Sequence, residues 1–480
     1  MVSSIIPSDP PSRIRILSLN CWGLKYIATY RHERLSEIGR RIAVANPPPE
    51  IVGLQELWTQ QDYESIREQT KDILPYGKFY FGGIFGAGLA ILSRWPIEES
   101  TMYPYPLNGR PTAFFRGDWY VGKGVACAKV RFGPGPADVA EVFCTHLHAP
   151  YEREPNDSYL CHRTAQAWEI AKLMRGAAER GHLVIATGDF NMIPSSFAHR
   201  LITGRSPVRD VWLELHPDSS VGAAIDAVEQ ARGRPIPSAE FNLVENGATC
   251  DGAFNTWRWS EALRKRADRG EDIQVDKDAE DPRAKRLDYI FVGDSGYSPS
   301  FPTPRWFVES ANVGMTERHP TLGCSLSDHF SVEAVVTRHD SISASIPSNQ
   351  TDFSPPPKTA SALSPETYDQ IIDMIHSYVI RERSQRFWRL AHFLLSIVVS
   401  IGCLIGVWWV GSRTYIGFIL ILVSTLNFGA GIIDGLIGGL FMSSELRALK
   451  EFEWEVSTAK SLILGPGSNG TRTPDKIESR

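Results

Sequence analysis

The residues that could do chemistry occur as short motifs spread along the whole chain. In order they are Leu19-Asn20-Cys21-Trp22, Gly53-Leu54-Gln55-Glu56-Leu57, Thr145-His146-Leu147-His148, Gly188-Asp189-Phe190-Asn191 and Ser327-Asp328-His329-Phe330, the last preceded by Arg286-Leu287-Asp288-Tyr289-Ile290. Singly, each has an ordinary structural reading. An Asn after a strand is usually a turn residue, and an Asp-His pair is more often a surface turn than a site. As a set they say more. Asn20, Glu56, Asp189 and Asn191 offer oxygen ligands and no thiolate, which suits a hard cation such as Mg²⁺. Each follows a strand-like apolar run, so they can converge on one edge of a sheet.

The elements that must position them are legible as patterns. Ile14 to Leu19 is a β-type run. Glu33 to Ala45 places Leu35, Ile38, Ile42 and Ala45 at helical spacing, and Pro47-Pro48-Pro49 ends that helix. Ile51 to Leu54 reads as a buried strand. The order strand, helix, strand returns with the amphipathic stretch Ala165 to Arg180 and the run Leu183 to Ala186. Leu89 to Leu92, Val125 to Val130 and Val139 to Phe143 are further strand candidates. Strand-rich sequence with a few long helices predicts an α+β sandwich, sheets inside and helices outside. Ser260 to Arg286, crowded with both charge signs, reads as an exposed loop of open role. His339 to Ser364, rich in Ser and Pro, reads as a linker that ends the catalytic part.

Beyond it, Ser364-Pro365-Glu366 is a helix start. Ile371, Ile372, Ile375, Tyr378 and Val379 form an apolar stripe, and Arg381, Arg383, Arg386 and Arg389 a basic cluster. Leu390 to Val410 and Thr414 to Ile433 carry no Asp, Glu, Lys or Arg. A bilayer core takes roughly 20 helical residues, so these runs predict a transmembrane hairpin. Gly402, Gly406, Gly431, Gly435 and Gly439 suit close helix packing. Asp434 either ends the second span or faces the first helix. The arginines ahead of the first span carry a positive-inside signal, which puts domain and tail in the cytosol.

Bulk composition narrows the classes. The chain has 480 residues, 42% of them hydrophobic and 22% charged, the balance of a globular protein. Its net charge of -5 makes no electrostatic case for nucleic acid as the main partner. Seven scattered cysteines without a C-x-x-C pair fit a reducing compartment and suggest neither zinc nor redox chemistry. Met1 to Pro11 does not read as a secretory signal.

Taken together, the motifs resemble the endonuclease/exonuclease/phosphatase superfamily with its deoxyribonuclease-I-like fold. Within it they resemble the neutral sphingomyelinases, over about Ile14 to Thr337. Three features carry the narrower resemblance. His146 stands where these lipases have a catalytic-site histidine. Asp118 and Lys123, in Asp118-Trp-Tyr-Val-Gly-Lys123, look like the paired Asp and Lys of the family's P-loop-like segment, although no true Walker A motif is present. The C-terminal hairpin is similar to that of fungal inositol phosphosphingolipid phospholipases C and of one mammalian neutral sphingomyelinase.

The resemblance implies a four-layer α/β/β/α sandwich at residues 1–338. The linker then covers 339–364, a basic amphipathic helix 365–389, two transmembrane helices 390–442, and a cytosolic tail 443–480. It implies Mg²⁺-dependent, phospholipase C-type hydrolysis of a phosphosphingolipid held in a membrane, giving ceramide and a phosphorylated head group. Inositol phosphate is the first-choice head group and phosphocholine the second. Glu56 would be the metal ligand, supported by Asn20. His329 would be the general base, since imidazole titrates near neutrality, with Asp288 orienting it. Asp189 would place the water, Asn191 would bind a phosphoryl oxygen, and His146 would donate to the phosphate. Asp328 would join the metal or water network, and His148 is as readily structural as catalytic. Anionic phospholipids are candidate activators. The expected location is an intracellular membrane, with the endoplasmic reticulum and mitochondrial outer membrane both open. A nuclease, an inositol polyphosphate phosphatase and an inactive membrane scaffold are the alternatives on the same fold. The phosphatase signature Trp-Cys-Asp-Arg is missing, and every catalytic position is filled.

Overall fold

The computed structural model describes residues 7–152, 156–295, 304–339 and 363–464. The Ser/Pro-rich stretch at 340–362 and the end of the C-terminal tail lie outside the described residues. The chain divides into two compact units. The first comprises the residues up to Tyr105 and those from Tyr120 to the linker; the second joins Pro106–Trp119 to the C-terminal helices.

Among the described residues, twelve strands build the first unit: β1 (Arg13–Asn20), β2 (Ile51–Gln55), β3 (Tyr76–Tyr80), β4 (Leu89–Ser93), β5 (Ile97–Pro104), β6 (Gly124–Arg131), β7 (Val139–His146), β8 (Leu183–Asp189), β9 (Val208–Asp210), β10 (Asp288–Gly293), β11 (Arg305–Gly314) and β12 (Ser331–His339). They form two six-stranded mixed sheets, ordered β11-β12-β1-β2-β4-β3 and β5-β6-β7-β8-β10-β9.

Period-two alternation explains how the layers stack. In β1, Ile14 and Ile16 enter the core between the sheets, joined there by Ile51, Leu89, Ile91, Val142 and Ile185. Leu17 and Leu19 point the other way, onto a second core with Val52, Leu54, Leu92 and the helix residues Leu35, Ile38 and Ile42. That helix, Arg31–Val44, buries the stripe its spacing predicts. The helix Leu160–Glu179 packs on β7 and β8. The result is two mixed sheets with helices outside them.

One local reading needs correction. Ser260–Arg286 is not all loop. Ser260 caps a helix at Glu261–Asp268 by accepting from the Leu263 amide, and Arg286 is fully buried. A capping Ser ahead of an Arg/Lys-rich turn was the helix signal, and mixed charge masked it.

In the second unit, one continuous helix, Pro365–Gly406, contains both the basic stretch and the first apolar run. A second helix, Thr414–Leu436, runs back along it, and a third, Met442–Leu464, packs on the first. The first two are long and apolar enough to cross a membrane, with only 11% and 17% of their most apolar windows buried; a soluble core helix would be mostly covered. Gly431 and Gly435 do allow close approach, since a Cβ there would strike Ser396 and Phe393. Gly402 meets nothing within 4 Å, so it makes no packing contact. Ser400 and Ser424 donate to each other's carbonyls at 3.1 and 3.2 Å. Asp434 faces the first helix, where Arg389 and His392 hold its carboxylate.

Outside the apolar runs, the same unit buries a carboxylate pair, Glu382 and Glu445. Tyr378 donates to Glu445 at 2.8 Å, Arg381 lies 3.6 Å from Glu382, and Arg110 is the other neighbouring charge. Burial pushes both carboxyls up to about 7, and for Glu382 the charge of Glu445 adds to the effect. The folded chain therefore keeps these protons to higher pH than the unfolded chain, so the contribution is present in acid and lost as pH rises toward about 7. Thermal unfolding of the detergent-purified chain should show a midpoint that falls over this range. Glu382→Gln, which cannot ionise, should flatten the fall; equal slopes in parent and variant would show that the pair is not responsible.

Candidate active site

Strand register gathers the motif residues on one edge. Asn20 pairs with Gln55 across β1 and β2, so Glu56 follows directly beside Asn20. In the other sheet His146 pairs with Asp189, and Asp189 with Asp288. The sheets approach closely here: a Cβ on Gly53 would lie 2.0 Å from the Thr187 hydroxyl. Glycine at this position brings Glu56 and Asp189 within reach of a single side chain.

That side chain is Asn20. Its Nδ2 donates to Glu56 Oε1 at 3.1 Å and to Asp189 Oδ2 at 3.0 Å, while its Oδ1 accepts from the Trp22 amide at 3.0 Å. Glu56 sits in the left-handed region, φ 53°, which turns its carboxylate into the site. Its second oxygen, Oε2, is buried with no hydrogen-bond partner among the described residues. Burial and then Asp328 raise the Glu56 pKa.

Across the site, His329 Nδ1 meets Asp288 Oδ2 at 2.7 Å, and Thr249 donates to the same oxygen at 2.5 Å. With Nδ1 engaged, Nε2 faces Asp189 Oδ2 at 3.9 Å. Burial by itself would lower the His329 pKa, but the Asp288 and Asp189 carboxylates outweigh it and hold it well above the usual value. Asp189 is pushed up to about 7 by burial, which His329 opposes and Asp288 reinforces. His146 Nε2 approaches Asp189 Oδ2 at 3.5 Å. Burial and the nearby Lys123 charge keep its imidazole neutral, well below the usual pKa.

Asn191, at φ 46°, donates its amide to Asp189 Oδ1 at 2.9 Å and its side-chain Nδ2 to Leu147 O at 3.1 Å. An amide carries two side-chain N–H bonds, so one is left for a ligand. Lys123 is held by the Leu147 and His146 carbonyls at 3.2 and 3.4 Å. Asp328 adjoins His329 and accepts from Ser327 at 3.4 Å. His148 is fully buried, with its ring on Tyr159 and near His162, as a core histidine would be. Asp118 opens a turn in the Pro106–Trp119 segment, which belongs to the other unit.

Three supporting residues had no role assigned from sequence, although Ser327 stands within the last motif. Ser327 donates to Asn20 O at 2.6 Å and receives the His329 amide at 3.3 Å, tying the first motif to the last. Thr249 had no motif to mark it. Arg34, fully buried, donates to the Cys21, Trp22 and Leu326 carbonyls. Its signal was an arginine beside the apolar stripe of its helix.

Two constellations could hold a cation. Asp189, Asp288 and His329 offer ligand atoms within 4.8 Å of one another, but there the Asp288 oxygen facing His329 already accepts two hydrogen bonds. Asp288 Oδ1 in that set and Glu56 Oε2 in the other are both buried carboxylate oxygens without a hydrogen-bond partner among the described residues, so each set offers one open ligand atom. The raised pKa values of Glu56 and Asp189 have a common origin in crowded, desolvated carboxylates, which a cation would relieve.

Metal-assisted hydrolysis of phosphoesters asks for an edge of this kind. The chain belongs to the endonuclease/exonuclease/phosphatase family, whose model matches residues 17–329. Within it, the chain is 39% identical over 451 residues to the inositol phosphosphingolipids phospholipase C of Schizosaccharomyces pombe (strain 972 / ATCC 24843), covering 94% of this chain and 95% of that one. The enzyme of the same name from Saccharomyces cerevisiae (strain ATCC 204508 / S288c) is 32% identical over 471 residues, 93% and 90% of the two chains. Homo sapiens sphingomyelin phosphodiesterase 2 is 34% identical over 202 residues, 42% of this chain and 46% of the human one.

Proposed function

We propose that this chain is a membrane-anchored, Mg²⁺-dependent phospholipase C-type hydrolase that releases ceramide from phosphosphingolipids, with an inositol phosphate head group preferred. The observation that carries the reading is the extent of similarity. Relatives named for inositol phosphosphingolipids match through the C-terminal helices, whereas the sphingomyelin phosphodiesterase match spans 42% of the chain.

Glu56, assisted by Asn20, would hold the ion, which when bound supplies Lewis acidity to the phosphate and stabilises the departing alkoxide. The remaining roles belong to the side chains. Asp288 keeps the His329 proton on Nδ1 and leaves Nε2 to take one from water. A raised pKa makes His329 a strong base once its own proton has gone. Asp189, facing Nε2, positions that water. The spare N–H of Asn191 and the imidazole of His146 bind phosphoryl oxygens, and Lys123 adds positive charge. Asp328 orders the water or metal network.

The hairpin would anchor the enzyme in an intracellular membrane, with the catalytic unit in the cytosol. Phe387 and Trp388 at one end of the apolar runs, and Trp408, Trp409 and Tyr415 at the other, are exposed where interfacial aromatics belong. Cys21, Cys127, Cys144, Cys250 and Cys403 are free thiols, which suits a cytosolic face. Anionic phospholipids would act as activators at the basic cluster Arg381, Arg383, Arg386 and Arg389 ahead of the first apolar run.

The deciding experiment offers the purified chain inositol-phosphoceramide and sphingomyelin side by side, with Mg²⁺, and measures ceramide. Ceramide release from the inositol lipid at about tenfold or more the sphingomyelin rate is expected, a discrimination of about 1.4 kcal/mol. Ceramide from neither lipid would overturn the function, and a sphingomyelin preference would overturn the head group.

A further inference from the structure

The edge that carries Asn20 and Glu56 also carries a concentration of exposed apolar side chains. Asn20 pairs with Gln55, Gln55 with Leu89, and Leu89 with Tyr80. The segments that follow β1 and β3 therefore leave the sheet on the same edge as the catalytic residues. The first presents Tyr26 and Ile27, the second Phe81, Ile84 and Phe85; Tyr26 is 89% exposed and Ile84 73%. Single exposed apolar residues are ordinary on protein surfaces. Two clusters on one edge, flanking a site, are not.

Neither segment is loosely held. The Ile84 and Phe85 amides both donate to Tyr120 O, at 3.0 and 3.2 Å, and the Ile27 and Ala28 amides to Leu24 O, at 3.2 and 3.0 Å. Both are also wired to the Glu56 turn from opposite sides: Gly23 donates to Glu56 O at 2.9 Å, and Leu57 donates to Gly88 O at 3.1 Å. Lysines stand behind the tips, Lys25 at 5.4 Å from the Tyr26 ring and Lys78 at 6.0 Å from that of Phe81.

We propose that residues 24–30 and 81–87 are a pair of docking loops that seat the catalytic edge on the lipid bilayer, so that a membrane phospholipid reaches Glu56 without leaving the interface. The commitment to a bilayer rests on the function proposed above and on three features of the chain. Its two apolar helices suit a bilayer. Aromatic and aliphatic tips backed by lysines have the composition of an interfacial element, with ammonium groups able to remain at head-group level. The backbone bonds place those tips beside the turn that carries Glu56, where a scissile phosphate at head-group depth would lie.

The test uses the full-length chain in proteoliposomes. An environment-sensitive fluorophore is attached at Ile27→Cys or Ile84→Cys, with Glu68→Cys, an exposed position of the helix Gln60–Thr70, as the control and the unsubstituted chain as labelling background. Quenching by lipids carrying nitroxide on the acyl chain, with protection from aqueous iodide, is expected at the two loops and not at the control. In parallel, Tyr26→Ser/Ile27→Ser and Ile84→Ser/Phe85→Ser should lower turnover of vesicle-borne substrate by about tenfold or more while leaving a monomeric short-chain analogue within about twofold. Iodide quenching equal to the control would overturn the proposal. So would protection from iodide without lipid quenching, which would mean that a second copy covers the loops. The fluorescence requires no turnover, so a wrong substrate assignment and a wrong docking surface give different results.

Discussion

His329→Ala should lower kcat by about three orders of magnitude with KM within a few fold, since a positioned general base contributes roughly 10²–10⁴ to rate. The expectation follows from geometry. Nδ1 is tied to Asp288 at 2.7 Å, which leaves Nε2 as the only ring atom able to accept a proton, and it faces Asp189. A base acts in the transition state, so its loss is read in kcat. Removing a buried ring could also disturb the fold, because Asp288 would lose its partner. His329→Gln keeps most of the volume and an amide donor near Asp288, and should be folded yet equally slow. Added imidazole should restore part of the rate to the alanine variant and none to the glutamine variant. Turnover of His329→Ala within tenfold of the parent would remove His329 from the role of base. Severe and equal losses in His148→Ala would point to structural damage, since His148 packs in the core against Tyr159.

Glu56→Gln should reduce activity by about 10²-fold or more at saturating Mg²⁺, the loss of roughly 3 kcal/mol of transition-state stabilisation. Glutamine retains a carbonyl oxygen to accept from Asn20, so the 3.1 Å contact survives. It replaces the donor-less oxygen with an NH₂ that cannot ligate a cation. Metal binding, read directly by Mn²⁺ titration, should weaken in step with activity. The metal-free variant should also be at least as heat-stable as the metal-free parent, because it relieves a buried carboxylate that Asp328 repels. A variant that loses both activity and stability would assign Glu56 a structural part. Near-normal turnover and metal affinity would move the ion to Asp189, Asp288 and His329.

Much of this was legible in the residues alone. The types and order of Asn20, Glu56, Asp189 and Asn191 specify an oxygen-rich site at strand ends, because each follows a strand-like apolar run. The alternation within β1 and the stripe Leu35, Ile38, Ile42 specify which faces are buried, since both depend on local periodicity. The apolar runs 390–410 and 414–433 are equally local signals.

What depends on distant surfaces meeting could be settled only by the tertiary structure. Thr249 serves Asp288 and Ser327 serves Asn20 through contacts that bridge far-apart stretches of chain, and neither contact has a local signature. Gly431 packs and Gly402 does not, although both read as small residues on an apolar helix; the helical phase toward the neighbour decides. The Pro106–Trp119 excursion joined the C-terminal helices, and Glu382 and Glu445 became a buried pair, because packing rather than propensity chose their neighbours. Periodicity tells a residue which way to face. Only the assembled fold tells it what it will meet there.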